Sequence, residues 1–436
     1  MRKTWHYWSL ALLAILALVV TVACGGDDDD DDGGTPSGGG TTATAPSGGE
    51  KKYDPGVTDT TITLGGSYPY SGNASAYGTI GKVIEAYFKK VNEEGGINGR
   101  KIEFKTLDDG YSPDRTVQNT RQLIEQDKVF AIFNTLGTPP NSAIYEYMNQ
   151  VKVPQIYVAT GASKWGADPK GHPWTIGWQP DYVSEGKAYA AYILKEKPNA
   201  KIAVIYQNDD YGKDYVKGLE EGLGDKKSAI VKSVSYEVTD ATVNAQVSQL
   251  KDSGADVFYV AATPKFAIQS LTQAKQLGWA PLIIMNSVSS STAAVMQPAL
   301  QQAGPESVSD VVTTFYLKDA ADPQWKDDKA MKDYMDFMKK YYPDGNVNDT
   351  FNIYGVAVAQ TMVETLKRCG NTLTRENLMK QAASFKDFRV DLLLPNISIN
   401  TSATDFYPIQ SVQLAKFDPA GGKWNLFGEI LDASKK

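Results

Sequence analysis

From Ile62 to Met285 the chain alternates short apolar runs with amphipathic stretches, and that rhythm admits few folds. Ile62-Thr63-Leu64 reads as a strand. Residues 76–93 read as a helix with Ile80, Val83, Ile84, Tyr87, Phe88 and Val91 on one face. Gly95-Gly96-Ile97-Asn98-Gly99 stops that helix and turns the chain. Ile102, Phe104 and Thr106 alternate in the next strand, and Ser112 caps a helix starting at Pro113, the favoured first position. A strand is predicted over 129–133, a helix over 140–151 and a strand over 155–158. The rhythm then restarts. Strands are predicted at 202–206, 230–234, 257–261 and 282–285, with helices at 211–223, 243–253 and 266–277 between them. Strands separated by helices of about 10–15 residues demand βαβ units and parallel sheets, so two series predict two doubly wound, Rossmann-like α/β lobes. Helices at 325–342, 351–369 and 375–384 then precede a strand-like tail at 409–417, well placed to return to a lobe already built.

The N-terminus sets the compartment. Arg2 and Lys3 supply a positive start, and an apolar run from Leu10 to Ala23, broken only by Thr21, leads into Cys24. A membrane span wants about 20 apolar residues, so the run is short for an anchor and right for an export signal. Val22-Ala23-Cys24 resembles the lipobox of bacterial lipoproteins, in which the cysteine is lipidated and becomes the mature N-terminus. Thr21 departs from that pattern, which prefers Leu or Val there. Lipidation at Cys24 is the expectation, with simple secretion and an uncleaved anchor as the alternatives.

Residues 24–52 hold six consecutive aspartates (Asp27 to Asp32) among Gly, Ser, Thr and Pro. Such a stretch cannot bury enough surface to offset the entropy of ordering it, and its like charges repel. It reads as a disordered tether, or as a tolerated leader with no chemistry. The whole chain carries 44 Lys and Arg against 51 Asp and Glu, a net charge of −7. No basic patch dominates, which argues against nucleic-acid binding. From Tyr53 onward the chain is longer than one core usually supports, so two lobes are expected. Cys369 is the only cysteine after Cys24, so no intramolecular disulfide can form once the leader is removed, and it reads as a small buried thiol.

Several short strings then occur in order. They are Ile62-Thr63-Leu64-Gly65, Ser71-Gly72, Tyr77-Gly78, Val91-Asn92-Glu93-Glu94-Gly95-Gly96-Ile97-Asn98-Gly99, Leu107-Asp108-Asp109 and Asp210-Tyr211-Gly212. Together they resemble the branched-chain amino-acid-type (leucine-binding-protein-like) periplasmic binding proteins, the ligand-capturing subunits of ABC importers. The resemblance runs from about residue 58 to about 430. It implies the type I fold of that family: two lobes joined by three hinge crossings, with a small-molecule solute held between them. It also implies importer permease subunits as partners, no cofactor, no metal and a monomer. The crossings are expected near 177–181, 311–314 and 407–410. The resulting division is signal 1–23, tether 24–52, first lobe 53–178 and 313–408, and second lobe 179–312 and 409–436. With lipid at Cys24, the protein would sit outside the cytoplasm, anchored to the cell membrane.

In that family two loops of the first lobe grip a carboxylate through backbone N–H groups and hydroxyls at helix N-termini. By resemblance they are Asn134, Thr135, Leu136, Gly137 and Thr138, and then Thr160, Gly161, Ala162 and Ser163. Free N–H groups and positive helix ends suit an anion. Pro139 and Pro140 remove two donors, which leaves Gly137 and Thr138 to supply much of the first loop's contribution. Read without the family, both loops are ordinary strand-to-helix turns. Tyr77 and Tyr211 align with tyrosines that line the cleft from the first and second lobes, and the alternative for each is a half-buried core residue. Trp165, Trp174 and Trp178 cluster near the first crossing, as packing or as a pocket floor.

Specificity rests on two departures. Amino-acid binders of this family pair the α-ammonium with an acid from the second lobe, and Ser287 stands at that position with no acid nearby. Ala262 stands where branched-chain amino-acid binders often have a tyrosine. An ammonium buried without an anionic partner is costly. A carboxylate with an apolar or aromatic body fits these residues better than an α-amino acid.

Catalysis finds little support. Of two histidines only His172 lies past the signal, and Gly-x-Ser-x-Gly, His-Glu-x-x-His and phosphate-loop motifs are missing from the sequence. Asp108-Asp109 and Asp209-Asp210 read as turn and cap residues. A binding protein that reports ligand to a separate receptor is the remaining alternative to transport.

Overall fold

The computed structural model describes residues 52–432. Cys24, the expected export signal and nearly all of the expected tether lie outside the described residues. Five parallel strands form the first sheet, in the order Lys101–Asp108, Thr61–Tyr68, Ala131–Phe133, Gln155–Ile156 and Thr175–Ile176. The second sheet begins with five parallel strands, Ile230–Tyr236, Ile202–Gln207, Val257–Ala261, Leu282–Met285 and Val311–Phe315. Ser411–Asp418 and Lys423–Asp432 then add antiparallel. In each sheet the second strand of the series lies outside the first, so the strand order reverses once. Ligands of open α/β sheets sit beyond the carboxyl ends of the strands at such a reversal.

Apolar pattern explains the layers. Val257–Ala261 and Val311–Phe315 are buried along their whole length, as strands covered on both faces must be. Helix Thr79–Glu93 buries Ile80, Val83, Ile84, Phe88 and Val91 on one stripe. It ends where Gly95 and Gly96 take φ of 106° and 70°. A Cβ on Gly96 would lie 2.0 Å from the Arg100 carbonyl oxygen, so only glycine makes that turn.

Several elements differ from the sequence expectation. Residues 75–78 form a separate tight turn before the helix at 79, and the helix expected at 325–342 begins at Lys329, capped by the Asp328 side chain on the Met331 N–H. The final hairpin strand Lys423–Asp432 was not anticipated. Neither was helix Tyr182–Glu196, capped by Asp181 on the Ser184 N–H at 3.0 Å. That helix packs against Asp210–Leu223 through glycines: a Cβ on Gly218 would lie 2.2 Å from the Val183 carbonyl oxygen. Val311–Phe315 belongs wholly to the second sheet, and Leu317 bridges to Leu393. The chain therefore leaves the second sheet after Phe315 rather than at 311–314, because the strand runs on in pairing with Ser411–Asp418.

Candidate ligand-binding cleft

Loops at the carboxyl ends of both sheets line a cleft whose atom-free space, counted out into open solvent, is about 730 Å³. Its first-lobe wall includes Tyr77, Tyr111, Leu136, Gly137 and Thr138; its second-lobe wall includes Tyr211, Thr263, Ser287, Val288 and Ser290. Gln179, Tyr316 and Leu317 come from the crossings, Tyr182 from the start of helix Tyr182–Glu196, Phe315 from the end of its strand, and Phe351 and Tyr354 from helix Thr350–Cys369. Among the described residues, no Asp, Glu, Lys, Arg or His lines it. Six tyrosines do, which makes the walls aromatic and apolar with scattered hydroxyls.

Among the residues singled out from sequence, Tyr77, Leu136, Gly137, Thr138, Tyr211 and Ser287 meet in this cleft. Thr135, Thr160, Gly161, Ala162, Ser163 and Ala262 do not line it, and each has a visible structural task. The Thr135 hydroxyl accepts the Ser67 N–H at 3.2 Å. Thr160 Oγ1 lies 2.5 Å from Thr138 Oγ1 and accepts from the Ala162 N–H at 3.3 Å and the Trp165 indole N–H at 3.5 Å. Gly161 lies against the first crossing, where a Cβ would meet the Pro180 carbonyl oxygen at 2.2 Å. Ser163 gives its N–H to Asp214 Oδ2 at 2.7 Å, and the Ala262 carbonyl accepts from Asn286 and Ser289.

The first loop is rigid. Asn141 Nδ2 donates to the carbonyls of Thr135 and Gly137 at 2.7 and 2.8 Å. Gly137 has φ of 98°, and a Cβ there would lie 2.4 Å from the Tyr111 ring. Its N–H, expected to face the ligand, is instead committed to the Ala159 carbonyl at 3.2 Å. Thr138 opens helix Thr138–Val151, and two prolines follow it. At that first position its N–H has no intrahelical acceptor.

Tyr77 spends its hydroxyl across the cleft, donating to the Val288 carbonyl at 2.9 Å, while its ring packs on Phe351 at 4.9 Å. Tyr211 differs: its hydroxyl is buried and has no partner, and burial raises its pKa well above the usual phenol value, so it stays a neutral donor. The tryptophans lie behind the walls or elsewhere. Trp178 donates to Thr361 at 3.0 Å and packs edge-on against Tyr354. His172 pairs with Glu146 at 3.1 Å and stacks on Tyr145, away from the lining. Asp109 and Asp209 accept the N–H groups of Tyr111 and Gly212, as turn and cap residues do. Cys369 is buried, its thiol pushed up to about 12 by burial.

The acid missing beside Ser287 along the chain is supplied by the fold. Glu185, fully buried in helix Tyr182–Glu196, accepts the Ser287 N–H at 2.8 Å and the Ser287 hydroxyl at 2.9 Å. Tyr215 donates to it at 2.9 Å, and the Tyr189 hydroxyl also donates. Burial raises the carboxyl's pKa, opposed by these hydrogen bonds. Glu185 stands behind Ser287 and does not line the cleft. No helix is predicted from sequence over 182–196, so Glu185 carries no signal there.

A family model described as periplasmic binding protein matches residues 61–423. "Leu/Ile/Val-binding protein homolog 1" of Brucella abortus is 24% identical over 336 residues, covering 76% of this chain and 85% of its own length. An "Amino acid binding protein" of Pseudomonas aeruginosa is 24% identical over 324 residues, covering 71% of this chain and 79% of its own. Among solved structures, a branched-chain amino acid ABC transporter protein of Thermus thermophilus with bound valine superposes with a TM-score of 0.75 at 16% identity. It covers 86% of this chain and 97% of its own. A fatty acid ABC transporter substrate-binding protein of Thermomonospora curvata gives 0.74 at 23% identity, covering 88% and 97%.

Proposed function

The chain belongs to the periplasmic binding protein family, of the Leu/Ile/Val-binding type, and from that premise we propose that it is the solute-binding lipoprotein of an ABC importer. It is exported, held to the membrane by lipid on Cys24 through the 24–52 tether, and closes its lobes on a small carboxylate with an apolar or aromatic body. Closure follows from the ligand's greater affinity for the form in which both lobes touch it.

The observation that carries the solute class is the lining: among the described residues, six tyrosines, two phenylalanines and no charged side chain. An ammonium sealed there would lack a charged partner, which is costly. A carboxylate is served by Thr138 at the start of its helix, where free N–H character and the helix dipole favour an anion. The fold itself hosts both valine and fatty-acid binders, so the lining decides between solutes.

Thermal unfolding against a solute panel tests this. Branched-chain amino acids are set beside benzoate-type and short aliphatic acids. A ligand at about 100 times its Kd adds about 2.7 kcal/mol, a shift of several degrees. Shifts with the non-amine carboxylates are expected. A shift with leucine alone would overturn the solute class and leave the family standing.

A further inference from the structure

Resting on the carboxylate reading, we infer that the cleft has opposite hydrogen-bond polarity at its two walls and selects hydroxylated carboxylates: an acceptor group at Thr138 and a hydroxyl donor at Ser287.

The hydroxyl protons can be assigned by counting. A hydroxyl donates once and accepts at most twice. Thr160 Oγ1 accepts from the Ala162 and Trp165 N–H groups and lies 2.5 Å from Thr138 Oγ1, and the Thr160 proton is assigned to that contact. The Thr138 proton is then released towards the cleft that Thr138 lines. A carboxylate oxygen is its natural acceptor.

Ser287 is set the other way. Glu185 receives four donors, two from Ser287, one from Tyr215 and one from Tyr189, which saturate a carboxylate. The Ser287 proton is therefore fixed on Glu185, and only lone pairs remain for the cleft. Glu185 is a positioning residue: it touches no ligand and dictates what Ser287 can accept.

The neighbourhood of Ser287 also separates a hydroxyl from an ammonium. The Ser287 carbonyl already accepts the Ser290 hydroxyl at 2.7 Å and the Ser290 N–H at 3.1 Å. The Val288 carbonyl accepts Tyr77. Ser287 Oγ presents lone pairs to a hydroxyl proton, whereas an ammonium at this spot would meet no carboxylate among the described residues that line the cleft.

The test measures Kd by calorimetry on the full chain for matched sets. These are benzoate with 3- and 4-hydroxybenzoate, and 4-methylpentanoate with its 2-hydroxy and 2-amino forms. In at least one set the hydroxy member should bind about 3- to 10-fold tighter than its parent, the worth of one net hydrogen bond. Ser287→Ala should bring that ratio to about 1 while the parent acid still binds. Glu185→Gln can donate to Ser287 Oγ, release its proton and reverse the ratio in favour of a methoxy analogue. Circular dichroism verifies that both variants fold, and Ser287→Ala alone suffices if Glu185→Gln does not. Equal binding of parent and hydroxy acids in both sets, or tightest binding of leucine, overturns this inference. In the first case the carboxylate function stands; failure of every carboxylate to bind overturns both.

Discussion

The backbone N–H of Ser163 donates to Asp214 Oδ2 at 2.7 Å, tying a loop of the first lobe to helix Asp210–Leu223 of the second. One residue on, Lys164 Nζ reaches Asp210 Oδ2 at 3.0 Å. With Tyr77 on Val288, and Asn73 Nδ2 on the Val238 carbonyl at 2.8 Å, these bonds hold the lobes against one another. Asp214→Ala removes the carboxylate acceptor, a bond worth about 1.5–3 kcal/mol. Ligand affinity should fall about tenfold or more, and the ligand-free protein should show a larger radius of gyration by solution scattering.

Tyr211 offers a contrast between stability and binding. Its hydroxyl is buried and unpartnered. Tyr211→Phe should therefore leave the unfolding midpoint of the free protein unchanged or raise it, by up to about 1 kcal/mol. If the hydroxyl meets the solute, the same variant should weaken binding by a few fold in calorimetry.

Gly137 tests the rigidity of the carboxylate loop. Its φ of 98° is unfavourable to any other residue, and a Cβ would press on the Tyr111 ring at 2.4 Å. Gly137→Ala should cost about 1–3 kcal/mol of stability and displace Tyr111 from the cleft wall. Denaturant titration reads the first effect and solute affinity the second.

Two buried acids make stability depend on pH. Asp319 and Asp349 are both raised to about 6, chiefly by burial, and accept from Thr292 and Ser291 at 3.0 and 2.8 Å. Because their folded values exceed the ordinary 3.8, the folded state binds protons more tightly than the unfolded one. Their contribution favours the fold fully below about pH 4 and is lost as pH rises through about 6. Asp319→Asn, a neutral isostere, should raise the melting temperature relative to the parent at pH 7.5 and leave it nearly unchanged at pH 4. A difference that grows on acidification would contradict this.

Much of the fold is local in origin. The stripe Ile80–Val91, the glycine stop at Gly95-Gly96 and the prolines opening helices at 113 and 138 announce their elements within a few residues. Parts fixed by distant partners were harder to read. The strand Lys423–Asp432 exists by pairing with Ser411–Asp418, and Val311–Phe315 runs past the expected crossing for the same reason. Helix Tyr182–Glu196 was obscured because its buried face mixes Glu185, Gly186 and tyrosines, which pack only once Gly218 lets the next helix approach.

The sequence by itself determined the two series of βαβ units and the turns that join them, because periodicity and turn chemistry act over short stretches. Tertiary structure alone decided what those turns offer a ligand. It turned Thr135 and Ser163 away, spent the Gly137 N–H on Ala159, and placed Glu185 behind a serine 102 residues distant. A hydroxyl's proton goes wherever its neighbours leave it, and those neighbours are brought together by packing and not by order along the chain.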